Sequence, residues 1–118
     1  MVFRLNDSFV FPDARLADED GLIAVGGDLH PDRILLAYKK GIFPWFSKGY
    51  PILWWSPDPR LILRPGKFKI SDSLKHTLKS GKFRVTIDHC FGDVIHQCSI
   101  VPRKDQDGTW ITPGMKKA

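Results

Sequence analysis

Residues 21–60 read GLIAVGGDLHPDRILLAYKKGIFPWFSKGYPILWWSPDPR and carry the strongest local structural signals of the chain. Pro31 suits the first turn of a helix, where its missing N–H costs nothing, and Asp32 favours the positive end of the helix dipole. Gly41 is a typical residue for the end of that helix. The stretch therefore predicts a helix over residues 31–40, with a turn at Gly26-Gly27 before it and a strand at 53–56 after it.

Working outward, the C-terminal half predicts alternating strands and helices, whereas residues 1–20 look irregular. Predicted strands cover residues 60–64, 83–87 and 109–111, and the first of these is expected to be buried on both faces. One helix is capped by Ser71 and closed by Gly81, with Leu74 and Leu78 facing inward and Lys75 and Lys79 on an outer stripe. A further helix runs from a cap at Asp88 or His89 to Ser99, and Thr112-Pro113 is a helix start signal.

Length and composition describe a folded chain with an uneven charge. The 118 residues include 42% hydrophobic residues, and the formal net charge is +5. Residues 1–58 hold 6 basic and 8 acidic side chains, whereas residues 59–118 hold 12 and 5. This asymmetry indicates that the second half meets a polyanion, or that two subdomains are joined. The sequence shows no membrane span and no signal peptide, so a cytoplasmic location is expected.

The usual catalytic and metal-binding motifs are not found. There is no GxSxG, HExxH or phosphate-binding glycine loop, and no histidine has a sequence-local partner that would make it a base. Cys90 and Cys98 match neither a disulfide framework nor a zinc motif, and we expect them to be small buried residues on one helix face. On these grounds the chain is a binding module or an incomplete enzyme.

Aromatic residues are concentrated between positions 43 and 55, namely Phe43, Trp45, Phe46, Tyr50, Trp54 and Trp55. Such residues fill a hydrophobic core or present exposed ring faces on which nucleic-acid bases stack. Together with the lysines of the second half, the stacking alternative suits a single-stranded RNA end, with aromatics for the bases and lysines for the phosphates.

The segments GLIAVGGDLHPDRILLAYKKGIFPWF, PILWWSPDPR and GTWIT, the last followed by Met115, resemble the bacterial leucyl/phenylalanyl-tRNA–protein transferases. The resemblance covers residues 21–118. It implies transfer of Leu or Phe from aminoacyl-tRNA to proteins with an N-terminal Arg or Lys, which marks them for degradation in the N-degron pathway. It implies no metal, no organic cofactor and no membrane partner.

The resemblance also implies an α+β fold. A small N-terminal α/β domain at residues 1–64 would be followed by the beginning of an acetyltransferase-like (GNAT) domain at residues 65–118. Tyr38, Trp45 and Trp110 fall on family positions associated with the 3′-terminal aminoacyl-adenosine. Lys75 and Lys79 match basic positions that contact the tRNA acceptor stem.

Two features depart from the family pattern. Asp72 and His76 stand where the family usually carries basic residues, which weakens the expected hold on tRNA. The family's pocket for the Leu or Phe side chain, and the Asp and Gln residues proposed to assist the reaction, would lie beyond residue 118. The expectation is therefore an incomplete, inactive chain, either a shortened piece, a chain whose remainder lies outside this sequence, or a degenerate gene product.

Two other hypotheses remain open at the level of sequence. The chain could be a standalone RNA-binding module without transfer activity, which needs no side-chain pocket. It could also be a purely structural fold in which all four tryptophans are buried.

Overall fold

A computed structural model describes residues 1–118 and shows a mixed α and β chain. It contains β1 (Phe3–Leu5), a 3-10 turn (Ala14–Leu16), β2 (Leu22–Gly26), α1 (Pro31–Lys39), β3 (Phe43–Pro44), β4 (Leu53–Trp55), α2 (Asp72–Lys79), α3 (Phe91–Ile100) and α4 (Pro113–Lys117). Residues 1–59 and 92–118 form one compact unit, and residues 60–91 form a second. This content is compatible with the predicted α+β class. The boundary at residues 64 and 65 stays a prediction, since compactness alone does not define a domain.

A four-stranded sheet in the order β1-β2-β4-β3 organises the first unit. β1 runs parallel to β2, and the pairs β2–β4 and β4–β3 are antiparallel. β2 begins beside Gly21, where φ is +90° and an added Cβ would lie 2.6 Å from the Pro57 Cα. Gly21 therefore permits the close approach through which its carbonyl accepts a 2.7 Å hydrogen bond from the Ser56 amide. The sequence predicted β4 correctly but not β1, β2 or β3.

The hydrophobic core lies between this sheet and α1. Its buried members are Phe11, Ile23, Ala24, Ala37, Ile42 and Trp54. Trp54 is fully buried, its ring meets Phe11 edge-on at 4.8 Å, and its indole N–H donates to the Gly26 carbonyl at 2.9 Å. The predicted helix over 31–40 is confirmed, with Pro31 in its first turn. Gly26 and Gly27 have φ values of 89° and 73°, as expected for the predicted turn.

Arg33 on α1 is a buried charged residue that the sequence did not reveal. Its guanidinium group donates to both carboxylate oxygens of Asp28, at 3.1 and 3.0 Å, and to the carbonyls of Ser8 and Asn6 at 3.0 and 2.8 Å. The Phe9 ring lies 5.0 Å from the guanidinium carbon. Burial of a charge is tolerated when it is paired and hydrogen-bonded, so this cluster fastens the N-terminal segment to α1.

The second unit, residues 60–91, contains α2 and carries most of its side chains exposed. Ser71 caps α2 as predicted, with its hydroxyl accepting from the Leu74 amide at 3.3 Å. Gly81 follows the helix with φ +66°, the conformation expected after a helix end. Leu74 and Leu78 are 45% and 58% exposed, so the expectation that they face inward is wrong for this structure. No residue of α2 is buried.

The three predicted strands at 60–64, 83–87 and 109–111 do not form. The segment at 60–64 is largely apolar, and the segment at 83–87 alternates between apolar and polar residues. No strand of the sheet pairs with either segment. Since a strand exists only when it is hydrogen-bonded to a neighbouring strand, neither segment forms one. Leu61 is fully exposed, so the expected burial of the first segment is wrong as well. At 109–111 local hydrogen bonds replace a ladder: the Thr109 hydroxyl accepts from the Ile111 amide, and the Trp110 carbonyl accepts from the Thr112 amide.

The two remaining predicted helices are present with adjusted limits. α3 starts at Phe91, slightly later than a cap at Asp88 or His89 would require, and α4 begins at Pro113 with Thr112 as its cap. Both cysteines are free thiols, and Cys90 is exposed immediately before α3, so the expectation that it is buried on a helix face is wrong. None of the helices is both long and apolar enough to cross a membrane.

Candidate functional site

An aromatic cavity of about 340 Å³ lies in the first unit, between the β3–β4 hairpin and the loop before α4. Its aromatic walls are Trp45, Phe46, Tyr50, Trp55 and Trp110. The volume falls in the range of small-ligand pockets, which are mostly apolar with a few polar groups that orient the ligand. Trp45 and Trp110 are 65 positions apart in the chain, and the structure brings them to one cavity.

Strand pairing fixes the position of Trp45. Its backbone amide donates to the Leu53 carbonyl at 3.0 Å, and its carbonyl accepts from the Trp55 indole N–H at 2.7 Å. Both polar groups of the Trp45 backbone are thus held by β4, while its side chain is 54% exposed. The Trp45 and Trp55 rings lie 6.2 Å apart at 60°. The Trp45 ring face is therefore presented on a fixed backbone, as a base-stacking platform requires.

Trp110 is positioned by the turn that leads into α4. The Thr109 hydroxyl and the Trp110 carbonyl close this turn, and the adjacent Ile111 is buried. Thr112 then caps α4 by accepting from the Met115 amide at 3.3 Å. This anchoring leaves Trp110 partly exposed at the cavity wall.

Four polar residues complete the lining: Ser47 from the hairpin, and Gln106, Asp107 and Thr109 from the loop before α4. The carboxylate of Asp107 is a hydrogen-bond acceptor, and the amide of Gln106 is both donor and acceptor. Neither side chain makes a hydrogen bond or ion pair within the protein. They are therefore available to the edges of a ligand whose face lies against the aromatic rings.

A smaller apolar cavity of about 230 Å³ is lined by Phe43, Pro44, Trp45 and Trp110. Because it shares both tryptophans with the larger cavity, Trp45 and Trp110 have aromatic surface facing two spaces. The pair is the common element of the site.

The sequence had pointed to some of these residues and not to others. Trp45 and Trp110, both predicted site residues, line the cavity. Tyr50 and Trp55 line it too, although the sequence marks them only as members of the aromatic cluster. Gln106, Asp107 and Thr109 were not anticipated as site residues, although Gln106 and Asp107 directly precede the GTWIT segment that carried the resemblance. Loop polar groups near a family motif are the signal that could have found them.

The other predicted site residues lie elsewhere. Tyr38 is 56% exposed on α1 and lines neither cavity, so its role stays a prediction. Lys75 and Lys79 lie one turn apart on α2 in the second unit, both exposed. The Lys75 ammonium contacts the Asp72 carboxylate at 3.2 Å, so Asp72, which is expected to weaken the hold on tRNA, engages one of the two lysines directly.

The hypothesis that all four tryptophans are buried is wrong. Trp54 is a core residue, but Trp45 is more than half exposed and Trp55 and Trp110 are partly exposed. The structure also contains no cluster of three or more His, Cys, Asp or Glu side chains arranged to hold a metal ion.

Comparison with known proteins identifies the same family in both halves of the chain. Residues 27–58 match the model of the leucyl/phenylalanyl-tRNA protein transferase N-terminal domain, and residues 62–118 match the model of leucyl/phenylalanyl-tRNA protein transferase. The second match includes Trp110 and the polar loop, and the first includes Trp45.

Curated relatives with the name leucyl/phenylalanyl-tRNA–protein transferase align along nearly the full chain. The protein of Syntrophobacter fumaroxidans is 56% identical over 117 residues, covering 99% of this chain and 50% of the relative. The protein of an Anaeromyxobacter species is 54% identical over 114 residues, covering 97% and 48%. The chain thus spans about half the length of these relatives. With two family models matching residues on both sides of the tryptophan cavity, the chain belongs to the leucyl/phenylalanyl-tRNA–protein transferase family.

Proposed function

We propose that this chain binds the 3′ end of an aminoacyl-tRNA carrying Leu or Phe, within an aminoacyltransferase that acts on proteins with an N-terminal Arg or Lys. The observation that supports this most directly is the cavity where Trp45 and Trp110 meet. An adenine ring stacked on an exposed tryptophan gains about 1–3 kcal/mol. The loop before α4 offers Gln106 and Asp107 to the edge of the base.

In the proposed reaction the α-amine of the acceptor protein attacks the ester carbonyl that joins the amino acid to the terminal ribose. An amide bond forms, the ester C–O bond breaks, and the ribose hydroxyl leaves with a proton lost by the amine. Since the ester is already activated, holding the adenosine in one orientation supplies much of the rate acceleration. We assign that holding role to Trp45 and Trp110, with Tyr38 as a further contact. No acid–base role is assigned within residues 1–118.

The tRNA body requires cationic groups, and we assign Lys75 and Lys79 to its phosphates. Both are exposed on α2, in a unit whose 32 residues hold eight Lys or Arg and two Asp. Phosphate contacts dominate the affinity of nucleic-acid complexes and make it salt-dependent. The proposal includes a cytoplasmic location, an acetyltransferase-like fold for the part that begins at residue 65, and a role in marking proteins for degradation.

A filter-binding assay with Leu-tRNA tests the proposal. Trp45→Ala should weaken binding about 5- to 150-fold, the equivalent of one stacked base. Leu35→Ala is the matched control, because Leu35 is also an exposed apolar residue but lies on α1 and lines neither cavity. Equal affinity of the parent and the Trp45→Ala variant would contradict the proposal.

A transfer assay with Leu-tRNA and an Arg-starting peptide accompanies the binding assay. Binding without transfer by the 118-residue polypeptide agrees with the assignment of binding, but not acid–base chemistry, to these residues. Binding without transfer is also expected for a standalone RNA-binding module. Both the transferase hypothesis and the RNA-binding hypothesis therefore predict weaker binding by the Trp45→Ala variant. Transfer by residues 1–118 alone would overturn the assignment.

A further inference from the structure

A separate cavity of about 280 Å³ adjoins the tryptophan cavity in the first unit. It is formed by the last residues of α3 and the loop that follows, and it shares Gln106 and Thr109 with the tryptophan cavity. The two spaces therefore meet at Gln106 and Thr109. A ligand that occupies one and extends along Gln106 approaches the other.

Arg103 is the charged side chain in the lining of this adjoining cavity. It is exposed and makes no hydrogen bond or ion pair with the protein, unlike Arg33 or Arg15, which are held by carboxylates. The loop also contains Lys104, Asp105 and Asp107, but none of them lines this cavity. Arg103 is therefore the one charged residue of this lining, and its guanidinium group has no partner within the protein.

The chemistry of the lining suits a nucleotide. A guanidinium group presents a planar fork of N–H donors that matches phosphate oxygens. The Gln106 amide, which has no partner within the protein, can donate to and accept from a base on either side of it. The terminal adenosine of a tRNA is joined to the nucleotide before it by a single phosphodiester, which is the only charged group between them.

We propose that this adjoining cavity is the subsite for the nucleotide that precedes the terminal adenosine, and that Arg103 binds the phosphate joining the two. The inference rests on the proposed function, because it places the adenosine in the tryptophan cavity. It adds a second nucleotide, and it adds a cationic contact to a site whose other contacts are stacking and hydrogen bonds.

Calorimetric titration of the 118-residue polypeptide with adenosine and with the dinucleotide CpA tests the inference. CpA should bind about 1.5- to 5-fold more tightly than adenosine, the gain expected for one exposed charged contact. Arg103→Ala should remove this gain and leave the adenosine affinity unchanged. Lys104→Ala is the matched control, since Lys104 is the neighbouring cation outside the cavity, and it should retain the gain.

Salt dependence provides a second readout. Log affinity against log salt should fall for CpA, because salt screens the attraction between its phosphate and Arg103, and should change little for adenosine, which carries no phosphate. Arg103→Ala should flatten the CpA slope.

These titrations distinguish three outcomes that would contradict the inference. Equal affinities of CpA and adenosine would overturn the subsite. Equal weakening of both ligands by Arg103→Ala would overturn it too, and would mean that Arg103 serves the carbonyl end of α3 instead. Failure of adenosine itself to bind would overturn the proposed function as well.

Discussion

Arg33 illustrates how a single side chain joins distant parts of the first unit. Its guanidinium group satisfies Asp28 in the turn before α1 and two carbonyls of residues 6–8, and it is completely buried. Gly27 keeps the space open, since an added Cβ would lie 3.3 Å from the guanidinium carbon. Arg33 is the buried partner, while the Asp28 side chain is 48% exposed. Removal of the guanidinium group leaves the carboxylate and the two carbonyls without their donor, which is costly where water does not replace it.

Replacing Arg33 should therefore destabilise the fold strongly. We expect Arg33→Met to lower the free energy of unfolding by about 1–3 kcal/mol, because Asp28, which is itself half exposed, and the two carbonyls lose their donors. Arg33→Lys retains the positive charge but not the planar set of guanidinium donors. Its free energy of unfolding should therefore lie between those of the parent and the Met variant. Urea unfolding followed by circular dichroism measures both. A loss under about 1 kcal/mol in the Met variant would mean that the cluster is not a major source of stability.

Asp28 makes part of this stability depend on pH. The pKa of Asp28 lies below its usual range, because the Arg33 side chain and then the His30 amide donate to its carboxylate. A carboxyl group with a lowered folded-state pKa stabilises the fold above its unfolded pKa, and this stabilisation is lost as the pH falls through the folded pKa. We expect the melting temperature to drop below about pH 4.

The Asp28→Asn variant isolates that contribution. It should melt at a lower temperature than the parent at pH 7. On acidification its melting temperature should fall less than that of the parent, so the plots of melting temperature against pH should converge towards pH 2. Circular dichroism melts across this pH range provide the comparison. Parallel curves would show that other carboxyl groups account for the acid sensitivity.

Trp55 acts on the site through the backbone of its neighbour. Its indole N–H holds the Trp45 carbonyl at 2.7 Å, and Trp55→Phe removes that donor while keeping an aromatic ring in the cavity wall. We expect Trp55→Phe to weaken adenosine binding about 2- to 10-fold, in line with one neutral hydrogen bond of about 0.5–1.5 kcal/mol. The CpA-to-adenosine affinity ratio should stay unchanged, whereas a loss confined to CpA would contradict this positioning role.

At the scale of elements, the sequence predicted helices well and strands poorly. The signals for α1, α2 and α4 are local: Pro31, the Ser71 cap and the Thr112 cap each act within one turn of the helix that they start. A strand depends on a partner that lies far along the chain. β1 pairs with β2 across about twenty residues, and the extended segments at 60–64 and 83–87 have no partner strand at all. No pattern inside either segment carries that information.

α2 is the element on which the phosphate assignment can be tested. We expect the double substitution Lys75→Ala with Lys79→Ala to lower tRNA affinity, because two cations that bind phosphates are removed. The plot of log affinity against log salt should flatten by about 0.7–0.9 for each phosphate that the variant no longer binds. Filter binding over a salt series measures both quantities. Lys39→Ala is the control, because Lys39 is an exposed lysine in the last turn of α1.

Substitution of Asp72 is expected to change tRNA affinity in the opposite direction. Its carboxylate contacts Lys75 at 3.2 Å, so Asp72→Asn should release the lysine and raise tRNA affinity. If affinity falls in the double lysine variant while the slope stays unchanged, the lysines act structurally and the phosphate assignment fails.

At the scale of the whole molecule, charge and aromatic surface are divided between the two compact units. Residues 60–91 hold eight of the 18 basic side chains and two of the 13 acidic ones, whereas the aromatic cavity is built entirely from the other unit. The composition of the two halves already shows an excess of basic residues in the second half. The structure shows that residues 60–91, which hold much of this excess, form a separate compact unit.

The candidate site was predictable only in part. Stacking chemistry pointed to the cluster at 43–55 without separating Trp54, which fills the core, from Trp45, which is exposed. That difference depends on strand register: Trp54 lies opposite Pro44, so the next residue, Trp45, falls on the other face of the sheet. Trp110 was reached through the family resemblance, because nothing local to residues 109–111 indicates a partner 65 positions earlier. Gln106 and Asp107 lie in a loop whose path local patterns do not determine.

The Trp45 and Trp110 cavity is the proposed binding site for the aminoacyl-adenosine end of tRNA, and binding there can be observed directly. The most direct test is an NMR titration of the four indole N–H signals with a non-hydrolysable leucyl-amide analogue of 3′-aminoacyl-adenosine. We predict saturable shifts at Trp45, Trp55 and Trp110 and an unchanged signal from Trp54, whose N–H is bonded within the core. Saturable binding that leaves Trp45 and Trp110 unshifted, or no binding at all, would contradict this assignment.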